Sequence, residues 1–346
     1  MQNSSILMLD CTLRDGGHGL EDMKIRGFGK NFFCEKKKES IVKSLVASNI
    51  EIIELGSASD GQYRDVEVAA YKGVEDLSDD YQRYLEVNSQ NFAILYRDPH
   101  LYKLSIPHWI PGLPKIARVI MRYFDLPKSF DFCRLLADKG YNVFIQPMAT
   151  MQYSNLELEK LASLANEIKA GALYIVDSYG TMVPNNVRRI FNSFDLLLSP
   201  YIRIGFHGHD NLSLAYSNSL DFISITSKRN KIVDSTLYGM GLGAGNCRSE
   251  IICSYLNKKF SCNYLIEELL DGCEVIESIT GKDQSWGVGL VNTLPALENL
   301  ATKYVYTLRY EYKLGYKEIY RIMKKIPSKI RQQYTKENMK SVLKLL

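Results

Sequence analysis

The sequence predicts an α/β fold, a (β/α)8 TIM barrel carrying a helical C-terminal extension, and three observations predict it. Eight apolar runs rich in β-branched residues alternate with amphipathic stretches, the pattern of strand–helix units on a parallel sheet. Eight such units are the number that closes a barrel. Polar residues able to do chemistry gather just after the apolar runs, at the C-terminal strand ends where barrels place their sites. An open doubly wound sheet is the alternative, but the glycine-rich phosphate turn that it carries after its first strand is missing.

Taken in order, the runs cover residues 6–10, 50–55, 91–96, 119–124, 142–147, 172–177, 202–207 and 232–236. Between them KKESIVKSLVAS, SFDFCRLLADKG, NLELEKLASLANEIK, NVRRIFNSFDLLL and LSLAYSNSLDFIS repeat apolar residues at helical intervals, and RSEIICSYLNKK follows the last run. Asn155 and Asn185 are placed to cap two of these helices, and Gly140 closes another. The barrel is expected over residues 1–262 and the helical extension over 263–346. With 346 residues, 46% of them hydrophobic, the chain has ample material for such a core.

Two stretches organise the chemistry. LDCTLRDGGH ends the first run in Arg14, Asp15, a glycine pair and His18, and GFHGHDN ends the seventh in His207 and His209. Residues at i and i+2 of an extended chain point to one side. The chain has only five histidines, and three of them follow apolar runs directly. With Asp15, the two imidazoles of His207 and His209 make a common ligand set for a catalytic divalent metal. Glu54 ends strand two, Arg122 lies near the end of strand four and Gln146 ends strand five. Ser178 and Tyr179 follow strand six, and Asn246 follows strand eight. The Gly16–Gly17 pair reads as a flexible link that lets His18 swing over the site. Gly239, Gly241, Gly243 and Gly245 read either as a phosphate cradle or as backbone passing close beneath the site. Cys11 reads as a small core residue.

Charge is uneven. The net charge is +4, but residues 301–346 hold 12 Lys+Arg against 3 Asp+Glu, a local +9 that leaves −5 on the rest. Tyr, Leu and Ile separate these basic residues at helical intervals, so a solvated face of packed helices explains them better than a nucleic-acid patch. Seven cysteines, an odd number without paired ligand spacing, fit reduced thiols. No run approaches the roughly 18 apolar residues of a membrane span, and the first residues carry no basic region ahead of the apolar run. The sequence is read as that of a cytoplasmic protein with neither membrane nor nucleic acid as partner.

TLRDGGH, IIELGS, GFHGHDN and GMGLGAGN, in this order, resemble the metal-dependent pyruvate aldolases of the 4-hydroxy-2-oxovalerate aldolase type. These belong to the DRE-TIM metallolyases, the superfamily that also holds the HMG-CoA lyases and Claisen synthases, and the resemblance spans about residues 5–260. It implies a class II aldolase, a carbon–carbon lyase that cleaves or forms a 4-hydroxy-2-oxo acid from pyruvate and an aldehyde through a metal-stabilised enolate. Arg14 then holds the developing oxyanion with a planar fork that Lys lacks. His18, with an ordinary pKa near ~6.5, is acid and base for the 4-hydroxyl. Glu54 orients a ligand or a metal water. Asp15, His207 and His209 hold the metal, with Asn246 beside it as an oxygen ligand or through water. Mn²⁺ or Mg²⁺ is the first expectation, and the two imidazoles also admit Zn²⁺ or Co²⁺.

The chain departs from that family at its end. SWGVGLVNTL, the segment aligned with the family's site tyrosine, holds Trp286 and Leu290 and no tyrosine. From Trp286 onward the chain is more similar to aldolase-like proteins associated with bacterial surface-polysaccharide synthesis. The aldehyde dehydrogenase that degradative aldolases contact through this tail is therefore not implied, and a homo-oligomer is left open. Two other classes stand beside the aldolase. A Claisen-type acyl-CoA synthase or lyase would use the same metal and Arg14, but the 241–245 loop carries no cysteine. A non-catalytic metal-binding scaffold would have no use for a general base such as His18.

Overall fold

The apolar runs form strands whose side chains alternate between two buried faces, and that alternation builds the barrel. The computed structural model describes residues 5–25, 32–280, 286–287 and 290–345. Its strands are β1 (Ile6–Asp10), β2 (Ile52–Ala58), β3 (Phe92–Tyr96), β4 (Ile116–Met121), β5 (Asn142–Pro147), β6 (Ala172–Asp177), β7 (Arg203–Gly208) and β8 (Lys231–Ser235). Each pairs in parallel with the next, and β8 returns to β1 with Ile6 opposite Lys231. Among the described residues these eight strands close a barrel, as the sequence predicts. A two-residue strand, Ala70–Tyr71, pairs in parallel with β2 outside the barrel.

Outward-facing Met8, Ile53, Ile94, Val143, Leu173 and Ile204 join the helices in one continuous core. Inward-facing Leu9, Cys11, Ile52, Ile116, Phe144 and Tyr174 fill the barrel as a second cluster. Burying such a side chain contributes roughly 1.5–3 kcal/mol. Cys11 is fully buried, in keeping with its reading as a core residue, and the seven cysteines are free thiols. The expected fourth strand, 119–124, starts three residues early at Ile116, which brings Arg118 into the barrel interior.

The helices among the strands are α1 (Thr12–Ile25) and α2 (Glu35–Ala47), both after β1, α3 (Val74–Asn88), then α4 (Leu126–Asp138), α5 (Asn155–Glu167), α6 (Pro184–Leu197), α7 (Ala215–Ser224) and α8 (Ser249–Phe260) after β4 to β8 in turn, while β3 leads to β4 through a segment without an α-helix. α3 follows the short strand rather than a barrel strand. Two capping expectations are corrected. Ser154, not Asn155, caps α5, in a reciprocal box with Glu157. α6 starts at Pro184, and Asn186 rather than Asn185 accepts from the Val183 N–H. Gly140, with φ +87°, ends α4 as expected.

The larger correction is α1, because the glycine pair is helix and not a flexible link. Gly17 of the pair, and Gly19 beyond it, are there for close approach of backbone. A Cβ on Gly17 would lie 2.0 Å from the Val68 carbonyl oxygen, and one on Gly19 2.3 Å from that of Gly241. Neither backbone can give way cheaply. Gly17→Ala is therefore expected to lose about 3 kcal/mol of stability, read as a lower urea midpoint at unchanged m-value.

In the extension, α9 (Ile266–Thr280) packs Leu269, Ile276 and Ile279 into the barrel's outer core. The helices α10 (Leu290–Leu297), α11 (Thr302–Tyr306), α12 (Tyr316–Lys325) and α13 (Lys336–Leu343) build their own cluster on Leu300, Tyr304, Leu308, Ile319 and Met323. Hydrogen bonds tie the extension to the C-terminal mouth of the barrel. Tyr179 Oη donates to the Gln332 carbonyl (3.0 Å), and Trp286 Nε1 donates to that of Gly241 (2.6 Å). No helix among the described residues is long and apolar enough to cross a membrane.

Candidate active site

Because α1 begins two residues after β1, Asp15 falls in its first turn, over the end of the barrel, while His207 lies on β7 and His209 directly after it. The three side chains converge. Asp15 Oδ2 lies 3.8 Å from His207 Nε2 and 3.7 Å from His209 Nε2, and the two imidazole nitrogens are 3.3 Å apart. Their protonation follows from the far side of each ring. His207 Nδ1 is 3.0 Å from the Asp234 carboxylate, and His209 Nδ1 is 3.1 Å from the Leu242 carbonyl. Both partners only accept, so both Nδ1 atoms carry a proton, and in the neutral tautomer so fixed Nε2 is the nitrogen that can ligate.

Two lone pairs and a carboxylate oxygen facing one another repel unless a cation sits among them. The arrangement therefore fits a divalent metal. Asn246 lies against this group through its amide, which donates to Asp15 Oδ2 and to the Met240 carbonyl (3.2 Å), while its buried Oδ1 has no partner among the described residues. Burial pushes the Asp15 carboxyl up, but Arg14 and the three nearby imidazoles outweigh it and hold the group well below the usual carboxylate range. Burial lowers His209 to about 4, so it is neutral and free to ligate at neutral pH.

Beneath these groups runs a buried chain of charges. Arg14 bridges Asp15 (Nη1, 2.8 Å) and Glu54 (Nε, 2.7 Å). Glu54 Oε2 also accepts from Arg118 (2.8 Å), and Arg118 reaches on to Asp234, which holds His207. Glu54 is thus placed to orient Arg14, and no described contact joins it to the Asp15–His207–His209 group. Sequence reasoning missed Arg118 and Asp234. The available signal was a charge within an apolar strand, Arg118 in IARVIM and Asp234 in KIVDS, at a position whose alternation points inward.

His18 sits one helical turn after Asp15, with Nδ1 3.8 Å from Asp15 Oδ1 and Nε2 3.3 Å from Ser57 Oγ. Its ordinary pKa is not retained. Burial, then Arg97 and Arg14, lower it well below the usual imidazole range, so it is a neutral base held by a helix rather than a swinging arm. The glycine run after β8 packs close beneath the site. A Cβ on Gly241 would meet Asn246 Nδ2 at 2.0 Å and Asp15 Oδ2 at 3.1 Å.

All of this opens into a cavity of about 540 Å³. Arg14, Asp15, His18, His207 and His209 form its floor. Arg122, Gln146, Ser178 and Tyr179, singled out in the sequence, line its walls, whereas Glu54 and Asn246 lie behind the surface. The far wall is the extension, with Lys303, Tyr306, Gln333, Tyr334 and Thr335. The SWGVGLVNTL segment holds no tyrosine, and the tyrosines that line the cavity from the extension, Tyr306 and Tyr334, come from segments later than the one aligned. Only the three-dimensional path of the tail reveals them.

Comparison with known proteins agrees with the motif resemblance. Residues 127–276 match the HMGL-like family. A 4-hydroxy-2-oxovalerate aldolase of Pelotomaculum thermopropionicum is 24% identical over 289 residues, 81% of this chain and 78% of that protein. An oxaloacetate decarboxylase of Mycobacterium tuberculosis is 25% identical over 258 residues, 73% of this chain and 70% of that protein. Among solved structures, the N-terminal domain of a Bacteroides vulgatus protein described as an aldolase superposes with a TM-score of 0.70. It is 24% identical and covers 89% of this chain and 98% of that one, which bears out the barrel.

Proposed function

We propose that the protein is a metal-dependent pyruvate aldolase, cleaving or forming the C3–C4 bond of a 4-hydroxy-2-oxo acid. The observation that carries this reading is the convergence of the His207 and His209 Nε2 atoms and Asp15 at a cavity floor beside Arg14 and His18. The aldolase and lyase relatives support the reaction class. A divalent cation held by Asp15, His207 and His209, with Asn246 Oδ1 as a further donor, supplies a Lewis acid for the 2-oxo group. Mn²⁺ or Mg²⁺ suits the oxygen donors, and the imidazoles also accept Zn²⁺ or Co²⁺.

The chain's own residues do the rest. In the cleavage direction, neutral His18 accepts the 4-hydroxyl proton, the C3–C4 bond breaks as the aldehyde carbonyl forms, and the electron pair passes into the pyruvate enolate. Arg14, locked by Asp15 and Glu54, directs its remaining Nη2 donors at the negative oxygen that results. Protonation at C3 then gives pyruvate. The same enolate arises when a 2-oxo diacid loses carbon dioxide, the reaction for which the Mycobacterium tuberculosis relative is named.

Exchange of the pyruvate methyl protons in D₂O, followed by mass spectrometry, tests the enolate step alone. Exchange is expected with Mn²⁺, is expected to stop with EDTA, and should slow by about 100-fold or more in Arg14→Ala. Metal-loaded protein that shows no exchange would sink the proposal. Asp234→Asn, which loosens the grip on His207 Nδ1, is expected to weaken Mn²⁺ binding by about 10–100-fold in calorimetry.

A further inference from the structure

The GFHGHDN stretch ends in a residue that neither the metal group nor the base accounts for. Asn211 is 2% exposed and lines the cavity with His209, Leu242 and Gly243. Its Oδ1 accepts from the Ala244 N–H (3.0 Å), in the same loop whose Leu242 carbonyl holds His209 Nδ1. That bond orients the amide, because turning it over would set two donors against each other.

The other end of the amide is left over. Asn211 Nδ2 makes no hydrogen bond among the described residues, yet it is not one of the sealed unpaired atoms, as Gln146 Nε2 is. On a residue so buried that lines the cavity, such an atom opens onto the cavity. Close packing keeps it there: a Cβ on Gly243 would lie 2.9 Å from Asn211 Oδ1 and 3.3 Å from Nδ2, and one on Gly180 3.0 Å from Asn211 Cβ.

Pinning a loop does not need an amide. The neighbouring Asp210 holds the Ala215 N–H with a carboxylate oxygen (3.0 Å), so an acceptor alone does that job. An amide at position 211 holds Ala244 and also turns N–H donors towards the cavity, which a carboxylate would not.

The substrate's chemistry says what those donors meet. A 2-oxo acid brings two electron-rich groups to the floor, the 2-oxo oxygen that becomes the enolate and the carboxylate. Arg14 uses Nη1 on Asp15 and Nε on Glu54, and its remaining donors serve the enolate oxygen. His18 is engaged in proton transfer at the 4-hydroxyl, and the side chains of Leu242 and Gly243 donate nothing. A carboxylate on the β7 side of the floor therefore finds a donor in Asn211.

We propose that Asn211 is a substrate-binding residue whose Nδ2 donates to the carboxylate of the 2-oxo acid while its Oδ1 holds the 241–245 loop. The proposal rests on the aldolase reading above. It assigns Asn211 to the pyruvate half of the reaction, whichever aldehyde is the partner.

Two variants test it. Asn211→Asp keeps an acceptor for Ala244 and removes the donor, and Asn211→Ala removes both without adding charge. Pyruvate is titrated by calorimetry into the Mn²⁺-loaded wild type and variants, Mn²⁺ affinity and melting temperature are measured on the same proteins, and pyruvate exchange in D₂O is run alongside. Expected in both variants is pyruvate binding weaker by about 10-fold or more, the usual effect of losing a hydrogen bond to a charged group. The exchange should lose more in KM than in kcat, and Mn²⁺ should bind Asn211→Asp no more weakly than wild type.

Pyruvate affinity unchanged in both variants would overturn the assignment and leave Asn211 as a loop pin. A loss in Asn211→Asp alone would trace the effect to repulsion by the added charge and overturn it equally. A loss that comes only together with weaker Mn²⁺ binding would assign it to displacement of the loop that holds His209. In each of these cases exchange by the wild type leaves the enolate chemistry standing. Wild-type protein that neither binds nor exchanges pyruvate would overturn the aldolase reading, and this proposal with it.

Discussion

His209→Ala is expected to lower divalent-metal affinity by more than about 100-fold and to reduce pyruvate exchange to background, with little change in thermal stability. The magnitude follows because removing an outer partner of a ligand alone typically costs 10–100-fold, and here the donor itself is lost. His209 is the cleaner choice of the two imidazoles. Its Nδ1 partner is the Leu242 carbonyl, whereas removing His207 would also strip a partner from the buried Asp234. Calorimetry with Mn²⁺, beside a melting curve of the metal-free protein, checks both halves of the expectation. Affinity within a few fold of wild type would take His209 out of the ligand set.

Arg118→Ala is expected to destabilise the protein by about 3–5 kcal/mol, the usual cost of leaving buried carboxylates without their cation. Arg118 is fully buried, and it is the side chain that joins Glu54 to Asp234 across the barrel interior. The expected cause is charge and not lost volume. Arg118→Met keeps most of the packing and should therefore fail nearly as badly, while Arg118→Met combined with Glu54→Gln and Asp234→Asn should recover much of the loss. Urea denaturation of the three proteins separates the two causes, and full stability in Arg118→Met would refute the charge argument.

Most of the candidate site was legible because its signals are local. Arg14, Asp15 and His18 lie within five residues and His207 and His209 within three, each group directly after an apolar run, so strand polarity alone brings them to one end of the barrel. The same locality explains the errors. A glycine pair ordinarily signals a loop, and nothing nearby in the chain reveals that Val68 and Gly241 press against α1 and demand glycine there. Likewise, the pKa of His18 depends on burial and on Arg97, a residue 79 positions away whose proximity no spacing rule supplies.

What the sequence by itself determined is the barrel and the residues at its mouth, because period-two burial and strand ends are written in short windows of chain. Only the tertiary structure decided how those residues work together. The relay from Arg14 through Glu54, Arg118 and Asp234 to His207 draws on five separate segments, and it exists because barrel closure turns alternate positions of distant strands onto one interior. The far wall of the cavity depends in the same way on where the extension docks. Tyr179 and Trp286 fasten it over the mouth, and contacts between surfaces that far apart in the chain leave no period to read.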